Sequence, residues 1–191
     1  RPGGGALLGQ TLVTARHAWQ SRGMKSTMAD VPLLISQILE YGTRLHAVSE
    51  VVTWTAEGPR RSSYGDVGRD CARLANALRR LGIDGDQRVG TFMWNSQEHL
   101  EAYLAIPSMG AVVHTLNIRL FPEQLAYVIN HGGDKVVLVD DSLVPLLAKV
   151  VSELTTVECF VVNGDGDASA LGNDRPILRY SELVAAESAD F

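Results

Sequence analysis

The feature that most constrains the fold is the alternation of strand-like and helix-like segments along the second half of the chain. Short apolar runs, most of them rich in β-branched residues, occupy residues 88–93, 111–114, 135–139 and 159–162, and helical patterns lie between them. Parallel strands need long crossover connections, usually helices, whereas antiparallel strands can be joined by two-residue turns. The alternation therefore predicts an α/β fold in which a twisted, mostly parallel sheet is flanked by helices.

The remaining elements follow from hydrophobic spacing and turn residues. They are predicted at residues 33–43 (a helix), 51–55 and 60–62 (a hairpin), 97–107, 122–130 and 143–154 (three helices), and at a last short helix capped by Ser181. No repeat of fixed period is present from residue 28 to the last residue, and no low-complexity linker divides that stretch.

The best-defined helix is the one that follows the predicted hairpin. Ser63 is expected to cap it, with Asp66 reaching back to the cap as in a capping box. Apolar side chains then recur every three or four residues from Val67 to Leu81, and Gly82 predicts the end of the helix.

Composition excludes several classes of protein. The chain has 191 residues, 46% of them hydrophobic, and a formal net charge of −5, which is ordinary for a globular protein and unlike the basic surface of a nucleic-acid-binding protein. No apolar run approaches the roughly 20 residues of a transmembrane helix. Two cysteines, Cys71 and Cys159, cannot form a disulfide framework and are typical of a reduced, cytoplasmic protein.

The first residues differ in charge from the rest. Residues 1–29 carry four basic residues and no acidic one, which is compatible with an organelle transit peptide. The simpler interpretation is that residues 1–27 are a leader, or an added segment ahead of the native start, and that the folded domain spans residues 28–191.

Several histidine and acidic residues are candidates for a metal-binding or catalytic site. His114 lies among apolar neighbours and is expected to be a hydrogen-bonded core residue, and His99 and Glu101 are expected on the surface because neighbouring helical positions face apart. Residues 165–176 begin like a calcium loop but have Ala170 and Pro176 where glycine and glutamate are needed. The sequence therefore predicts no metal site.

Trp94 and Asn95 are the candidates for a ligand site. They follow the strand at residues 88–93, and ligands of α/β sheets bind outside the carboxyl ends of the strands. Together with Phe92, Met93 and Met109, Trp94 could line an apolar tunnel. The alternative is that these side chains only pack at the end of the strand.

Five segments, in order and correctly spaced, resemble the amino-terminal part of the AMP-forming acyl-CoA synthetases of the adenylate-forming superfamily. They are residues 63–67 (SYGDV), 69–82 (ending LANALRRLG), 88–98 (RV, then NSQE), 107–112 (PSMGAV) and 116–127 (LNIRLFPEQLAY). Residues 99–103 and 130–136 are most similar to the bacterial medium- and long-chain fatty acid–CoA ligases. One departure is Phe121, which stands before the helix proline and cannot cap it.

The resemblance implies a function for a longer enzyme. Such an enzyme adenylates a fatty acid with ATP and Mg, then forms a thioester with CoA. In that family the phosphate loop, the other ATP residues and the mobile carboxyl-terminal domain come after the position of Phe191, so the resemblance implies no catalytic or cofactor-binding residue in this chain. Asn117 and Arg119 match a family signature, and they are expected to bridge a turn and to tie a loop to a carboxylate, respectively.

Two other functions stay open at this point. The chain could be a free-standing, non-catalytic α/β binding module, or part of a different adenylate-forming ligase. The sequence also predicts a homodimer through residues 28–41, because apolar residues lie on more than one face of a short helix there.

Overall fold

A computed structural model describes residues 31–172 and 174–191. The principal elements, in chain order, are α1 (Ile35–Leu45), β1 (Glu50–Thr55), β2 (Gly58–Ser63), α2 (Tyr64–Arg80), β3 (Arg88–Phe92), α3 (Gln97–Ser108), β4 (Val112–Thr115), α4 (Pro122–Gly132), β5 (Asp134–Asp140), α5 (Val144–Leu147), β6 (Cys159–Asn163), β7 (Ile177–Arg179) and α6 (Tyr180–Ala185). Three short 3₁₀ turns, Asp141–Leu143, Val151–Glu153 and Ser169–Leu171, accompany them.

The strands form two sheets. β1 and β2 pair as an antiparallel hairpin, and the other five form an all-parallel sheet in the order β4-β3-β5-β6-β7. The predicted α/β class and the four predicted strands of the sheet are confirmed. β7, which has only three residues, was not predicted.

The sheet has a packed layer on each face because side chains alternate along its strands. In β5, Val136 and Leu138 face α2, α3 and α6, whereas Val137 and Val139 face α4 and the segment that follows β5. The same alternation places Val161 in the first layer and Phe160 in the second. Both faces are thus covered, as is usual for a parallel sheet.

The predicted start of α2 is confirmed. The Ser63 hydroxyl accepts a hydrogen bond from the Asp66 backbone N–H (3.1 Å), and the Asp66 carboxylate accepts one from the Ser63 backbone N–H (3.0 Å). The Ser63 hydroxyl also donates to the Asp66 carboxylate (2.6 Å), and this hydrogen bond, together with the one from the Ser63 N–H, lowers the pKa of Asp66. The helix ends at Arg80, and Gly82 adopts the positive φ of 87° that favours glycine there.

We expect Ser63→Ala to lower the free energy of unfolding by about 1 kcal/mol, the usual cost of a lost helix cap. Urea denaturation followed by circular dichroism measures it. Ser181→Ala is the matched control, because Ser181 forms no cap, and it should change stability by less than about 0.5 kcal/mol. Equal effects of the two substitutions would contradict a capping role for Ser63.

Two local predictions were wrong. Residues 143–154 do not form one helix but a single α-turn with 3₁₀ turns on either side, and hydrogen bonds such as Val150 N–H to Leu147 C=O (3.0 Å) span three residues. A spacing of three keeps Val144, Leu147 and Val150 on the side that packs against the sheet. The last helix begins directly after β7, with Arg179 rather than Ser181 at its N-cap position.

Two further findings concern the predicted leader and the possibility of a membrane-spanning helix. The predicted boundary of the leader at residue 27 lies outside them. None of the helices within residues 31–172 and 174–191 is long and apolar enough to cross a lipid bilayer.

Candidate functional site

The candidate site lies at the carboxyl edge of the parallel sheet. β3 is flanked by β4 on one side and β5 on the other, so the connections that follow β3 and β5 leave the sheet in different directions. Crevices at such a topological switch point are where open α/β sheets bind ligands. The sequence candidates Trp94 and Asn95 follow β3 at this point, and Asp140 and Asn163 end β5 and β6.

Asp140 links the ends of the three central strands. One carboxylate oxygen accepts a hydrogen bond from the Trp94 backbone N–H (2.6 Å), and the other accepts one from Nδ2 of Asn163 (2.7 Å). Burial raises the pKa of Asp140, and the two hydrogen bonds oppose that rise. Asp140 therefore fixes the backbone at the start of the Trp94 loop.

His99 holds the same loop from the other side. Its Nδ1 lies 3.0 Å from the Trp94 carbonyl oxygen, and its Nε2 lies 3.0 Å from the Thr91 hydroxyl. A carbonyl only accepts, so Nδ1 carries the proton and donates, while Nε2 accepts from Thr91 in the neutral ring. Burial lowers the pKa of His99, which favours that neutral form.

The expectation that His99 and Glu101 lie on the surface was wrong, because both side chains are buried. α3 is contacted by α1, α2, β1 and β4 as well as by β3, so several of its faces are covered. Neighbouring positions of a helix do face apart, but here each direction leads into the protein.

Trp94 itself stays half-exposed. Its side chain is 51% accessible, and its indole N–H donates to the Ser142 hydroxyl (3.0 Å) in the 3₁₀ turn after β5. Asn95 beside it is exposed, whereas Phe92 and Met93 are buried in the two core layers. Of the three apolar residues Phe92, Met93 and Trp94, only Trp94 is therefore exposed at this edge of the sheet.

A second polar cluster surrounds Glu101, which is only 2% exposed. Its carboxyl group accepts hydrogen bonds from the Tyr180 hydroxyl (2.5 Å) and from Nε2 of Gln97 (2.7 Å). Burial raises the pKa of Glu101 to about 7 in spite of these donors. A cavity of about 260 Å³ adjoins the cluster, and Asp70, Arg73, Glu98 and Asn163 also line it.

The sequence did not predict this cluster, because its members come from distant parts of the chain. Glu101 and Tyr180 are separated by 79 residues. The available signal was an acidic residue, one of two in α3, beside alanine and leucine, and that signal does not identify a partner.

Asn117 and Arg119 lie in the connection between β4 and α4. The Asn117 side-chain oxygen accepts a hydrogen bond from the Arg119 backbone N–H (3.0 Å), a contact that bridges a turn. Both side chains are exposed, and within the part of the chain that the structure describes no carboxylate forms an ion pair with Arg119.

His114 forms the hydrogen bond that was expected for it. Its Nδ1 lies 2.9 Å from both carboxylate oxygens of the fully buried Asp134. Gly132 leaves room for the imidazole, since a Cβ atom there would lie 2.8 Å from the ring. Across residues 31–172 and 174–191 no three His, Cys, Asp or Glu side chains are grouped so that they could hold a metal ion.

The polar side chains described above hold the protein backbone in place and are not available for acid–base or nucleophilic chemistry. Asp140 and His99 are fully engaged in hydrogen bonds within the protein, and the thiols of Cys71 and Cys159 are buried with raised pKa values. What the carboxyl edge of the sheet offers a ligand is an exposed indole ring on a fixed backbone.

Comparison with known proteins supplies the wider context. The family described as AMP-binding enzyme matches residues 41–182. The chain is 38% identical over 169 residues to a 3-methylmercaptopropionyl-CoA ligase of Ruegeria lacuscaerulensis, an alignment that covers 88% of this chain and 31% of that protein. It is 44% identical over 172 residues to a long-chain-fatty-acid–CoA ligase of Thermus thermophilus (86% and 32%) and 37% identical over 153 residues to a medium-chain-fatty-acid–CoA ligase of Ectopseudomonas oleovorans (80% and 28%).

Solved structures share the fold. An anthranilate CoA ligase in complex with anthranoyl-AMP superposes with a TM-score of 0.73 at 23% identity over 88% of this chain and 31% of that one. A Mycobacterium tuberculosis fatty acyl CoA synthetase gives a TM-score of 0.64 at 20% identity, covering 82% of this chain and 29% of that one. The chain spans about a third of the length of the curated relatives that it matches.

Proposed function

Because the chain belongs to the AMP-binding enzyme family, we propose that it is the amino-terminal part of an AMP-forming fatty acid–CoA ligase. The observation that carries the proposal is the identity of 37% and 44% to ligases named for medium- and long-chain fatty acids, over most of this chain. In this proposal residues 28–191 are the first part of the adenylation domain. The whole enzyme joins a fatty acid to AMP and then transfers the acyl group to CoA.

Enzymes of this kind use ATP, Mg and CoA. The carboxylates among the described residues are not grouped as a metal site, and we assign no contact with ATP, Mg or CoA to them. What this chain supplies in the proposal is the scaffold and the crevice at the switch point. We also place the enzyme in the cytoplasm, since both cysteines are free and buried.

The ligase proposal is tested with the polypeptide that its gene encodes. We expect the reading frame to continue past Phe191 and the extended protein to catalyse ATP–pyrophosphate exchange that depends on added fatty acid. The 191-residue chain alone should show no exchange and no submicromolar affinity for ATP in titration calorimetry. A stop codon after Phe191 would contradict the proposal. So would ATP–pyrophosphate exchange that no fatty acid from butyrate to palmitate stimulates.

Trp94 and Asn95 are proposed to form part of the wall of the acyl-binding tunnel. Their support is their place at the switch point and the exposure of both side chains there. Asn117 and Arg119 are proposed to be structural residues of the turn before α4, on the strength of the Asn117–Arg119 hydrogen bond.

We further propose that the enzyme is a homodimer with residues 28–41 in the contact, of which residues 31–41 are described. Leu39 of α1 packs against the core, while Ile38 and Tyr41 on the same helix are 61% and 58% exposed. An apolar helix face of this kind is typical of an interface.

Light scattering across a dilution series tests the dimer. We expect the mass of a dimer for the chain and that of a monomer for an Ile38→Glu/Tyr41→Glu variant, because charges would be buried in the contact. Val48→Glu, at an exposed position beyond α1, is the control and should leave the mass unchanged. A monomeric parent chain at high micromolar concentration would contradict the proposal.

A further inference from the structure

Every polar group of Trp94 is held by a different part of the protein. Its backbone N–H donates to Asp140 at the end of β5, its carbonyl accepts from His99 on α3, and its indole N–H donates to Ser142 in the following turn. Three hydrogen bonds therefore fix both the backbone and the side chain of a residue whose ring is half-exposed.

This rigidity is unusual for an exposed aromatic side chain and favours a binding role. A surface tryptophan that is free to rotate loses conformational entropy when a ligand orders it, whereas a ring held in place beforehand loses little. Aromatic rings with an apolar face and an anchored polar tip are also common contacts in binding sites. Asp140 and His99 are the buried groups that hold the backbone of Trp94, and Ser142 holds its ring.

The charges around Trp94 indicate which part of a fatty acid would meet it. Asp140 bonds to the Trp94 backbone, Asp141 directly precedes Ser142, and Glu98 in the first turn of α3 is close enough for its charge to act on Asp140. The cations bound to these segments are already engaged. Arg60 pairs with Glu98 (2.7 Å), and Arg179 donates to the carbonyl oxygens of Gly164 and Gly166 (2.8 Å each), in the loop that bonds to Asp141. The surroundings thus disfavour a carboxylate or a phosphate and leave the ring to an apolar group.

On the basis of the proposed fatty acid–CoA ligase function, we propose that Asp140 and His99 are positioning residues. They fix the backbone of Trp94 and so keep its indole, which bonds to Ser142, against the methyl-terminal part of the acyl chain. The carboxylate end of the fatty acid then points away from Asp140 and Asp141. Trp94 contributes to the preference for longer chains, since a chain too short to reach the indole gains nothing from it.

Contact quenching by bromine tests this orientation in the 191-residue chain. Trp19→Phe and Trp54→Phe leave Trp94 as the single tryptophan. We expect 12-bromododecanoate to quench its fluorescence in a saturable way that unlabelled dodecanoate reverses, and 2-bromododecanoate to quench it several-fold less. Equal quenching by the two isomers would overturn the proposal. So would quenching of a variant that keeps only Trp54, on the hairpin, to the same extent.

Variants of the two positioning residues test how Trp94 is held. Asp140→Asn cannot accept both of its hydrogen bonds, so it should raise the mobility of Trp94 in fluorescence anisotropy and weaken 12-bromododecanoate binding by about tenfold. Asp86→Asn is the matched control, because Asp86 is an exposed carboxylate just before β3, at the opposite edge of the sheet from Trp94. The control should leave both measurements unchanged, and a loss of the same size in it would contradict the role of Asp140.

His99 gives an independent pair of variants should Asp140→Asn fail to fold. Asparagine places an N–H donor near the position of Nδ1, so His99→Asn should keep Trp94 ordered, whereas His99→Ala should release it. If both variants bind 12-bromododecanoate like the parent, His99 is not a positioning residue.

Fatty-acid-dependent exchange by the extended protein without quenching of Trp94 would remove this inference and leave the ligase proposal intact. Saturable quenching without exchange would remove the ligase proposal and retain the apolar contact.

Discussion

Replacing Glu101 with glutamine is expected to make the protein more stable at pH 8 by about 3 kcal/mol and to change its stability little at pH 5. Burial raises the pKa of Glu101 from about 4.5 in the unfolded chain to about 7 in the folded protein. The folded state therefore binds the proton more tightly, so the carboxyl group costs stability as pH rises through 7. Glutamine has no proton to lose and keeps the shape of the side chain.

Urea denaturation at pH 5, 6, 7 and 8 measures this effect as a difference between variant and parent. His99 acts in the opposite sense, since its lowered pKa costs stability as the pH falls below about 6.5, but it is present in both proteins and cancels. Glu123→Gln, on the exposed surface of α4, is the matched control and should shift stability by less than about 0.5 kcal/mol at each pH. A parent and a Glu101→Gln variant with parallel pH profiles would show that Glu101 ionises freely.

Phe160→Ala is expected to lower the free energy of unfolding by about 3–5 kcal/mol. Phe160 lies in β6 near the middle of the parallel sheet, is fully buried, and packs in the layer beneath α4, so truncation leaves a cavity that the sheet cannot close. The change should appear as a lower urea midpoint at constant slope.

Phe121→Ala is the control for this prediction. Phe121 precedes α4 and is 71% exposed, so its truncation should cost no more than about 0.5 kcal/mol. Comparable losses at the two positions would mean that Phe121 is covered in solution and that Phe160 is not a centre of the core.

The sequence predicted those parts of the fold that depend on local patterns. Ser63 and Asp66 lie three residues apart, and a capping box needs only that spacing. The parallel sheet followed in the same way from apolar runs separated by helices. The prediction of one helix at residues 143–154 was wrong, because α-helical and 3₁₀ hydrophobic spacing are alike over one turn. Only packing against the sheet decides between the two.

The candidate site was predictable only in its location. Trp94 and Asn95 followed from the rule that ligands meet the carboxyl ends of strands. Asp140 and Asn163 were not predicted, because pairing them requires the order of the strands in the sheet. The sequence does not give that order, and a three-residue strand such as β7 has too short a hydrophobic pattern to be recognised. The burial of His99 and Glu101 depends on α1, α2 and the hairpin together, which no local pattern contains.

The hydrogen bond between Tyr180 and Glu101 sets the order in which the protein can be completed as it is synthesised. The two residues are 79 positions apart, so a growing chain that has reached position 179 already contains α3 but not the Tyr180 hydroxyl that donates to Glu101. At about 5–20 residues per second, translation takes several seconds to cover that distance. Through that interval Glu101 has the donor on its own helix, Gln97, but not the Tyr180 hydroxyl. The buried polar cluster around Glu101 can therefore be completed only after residue 180 emerges.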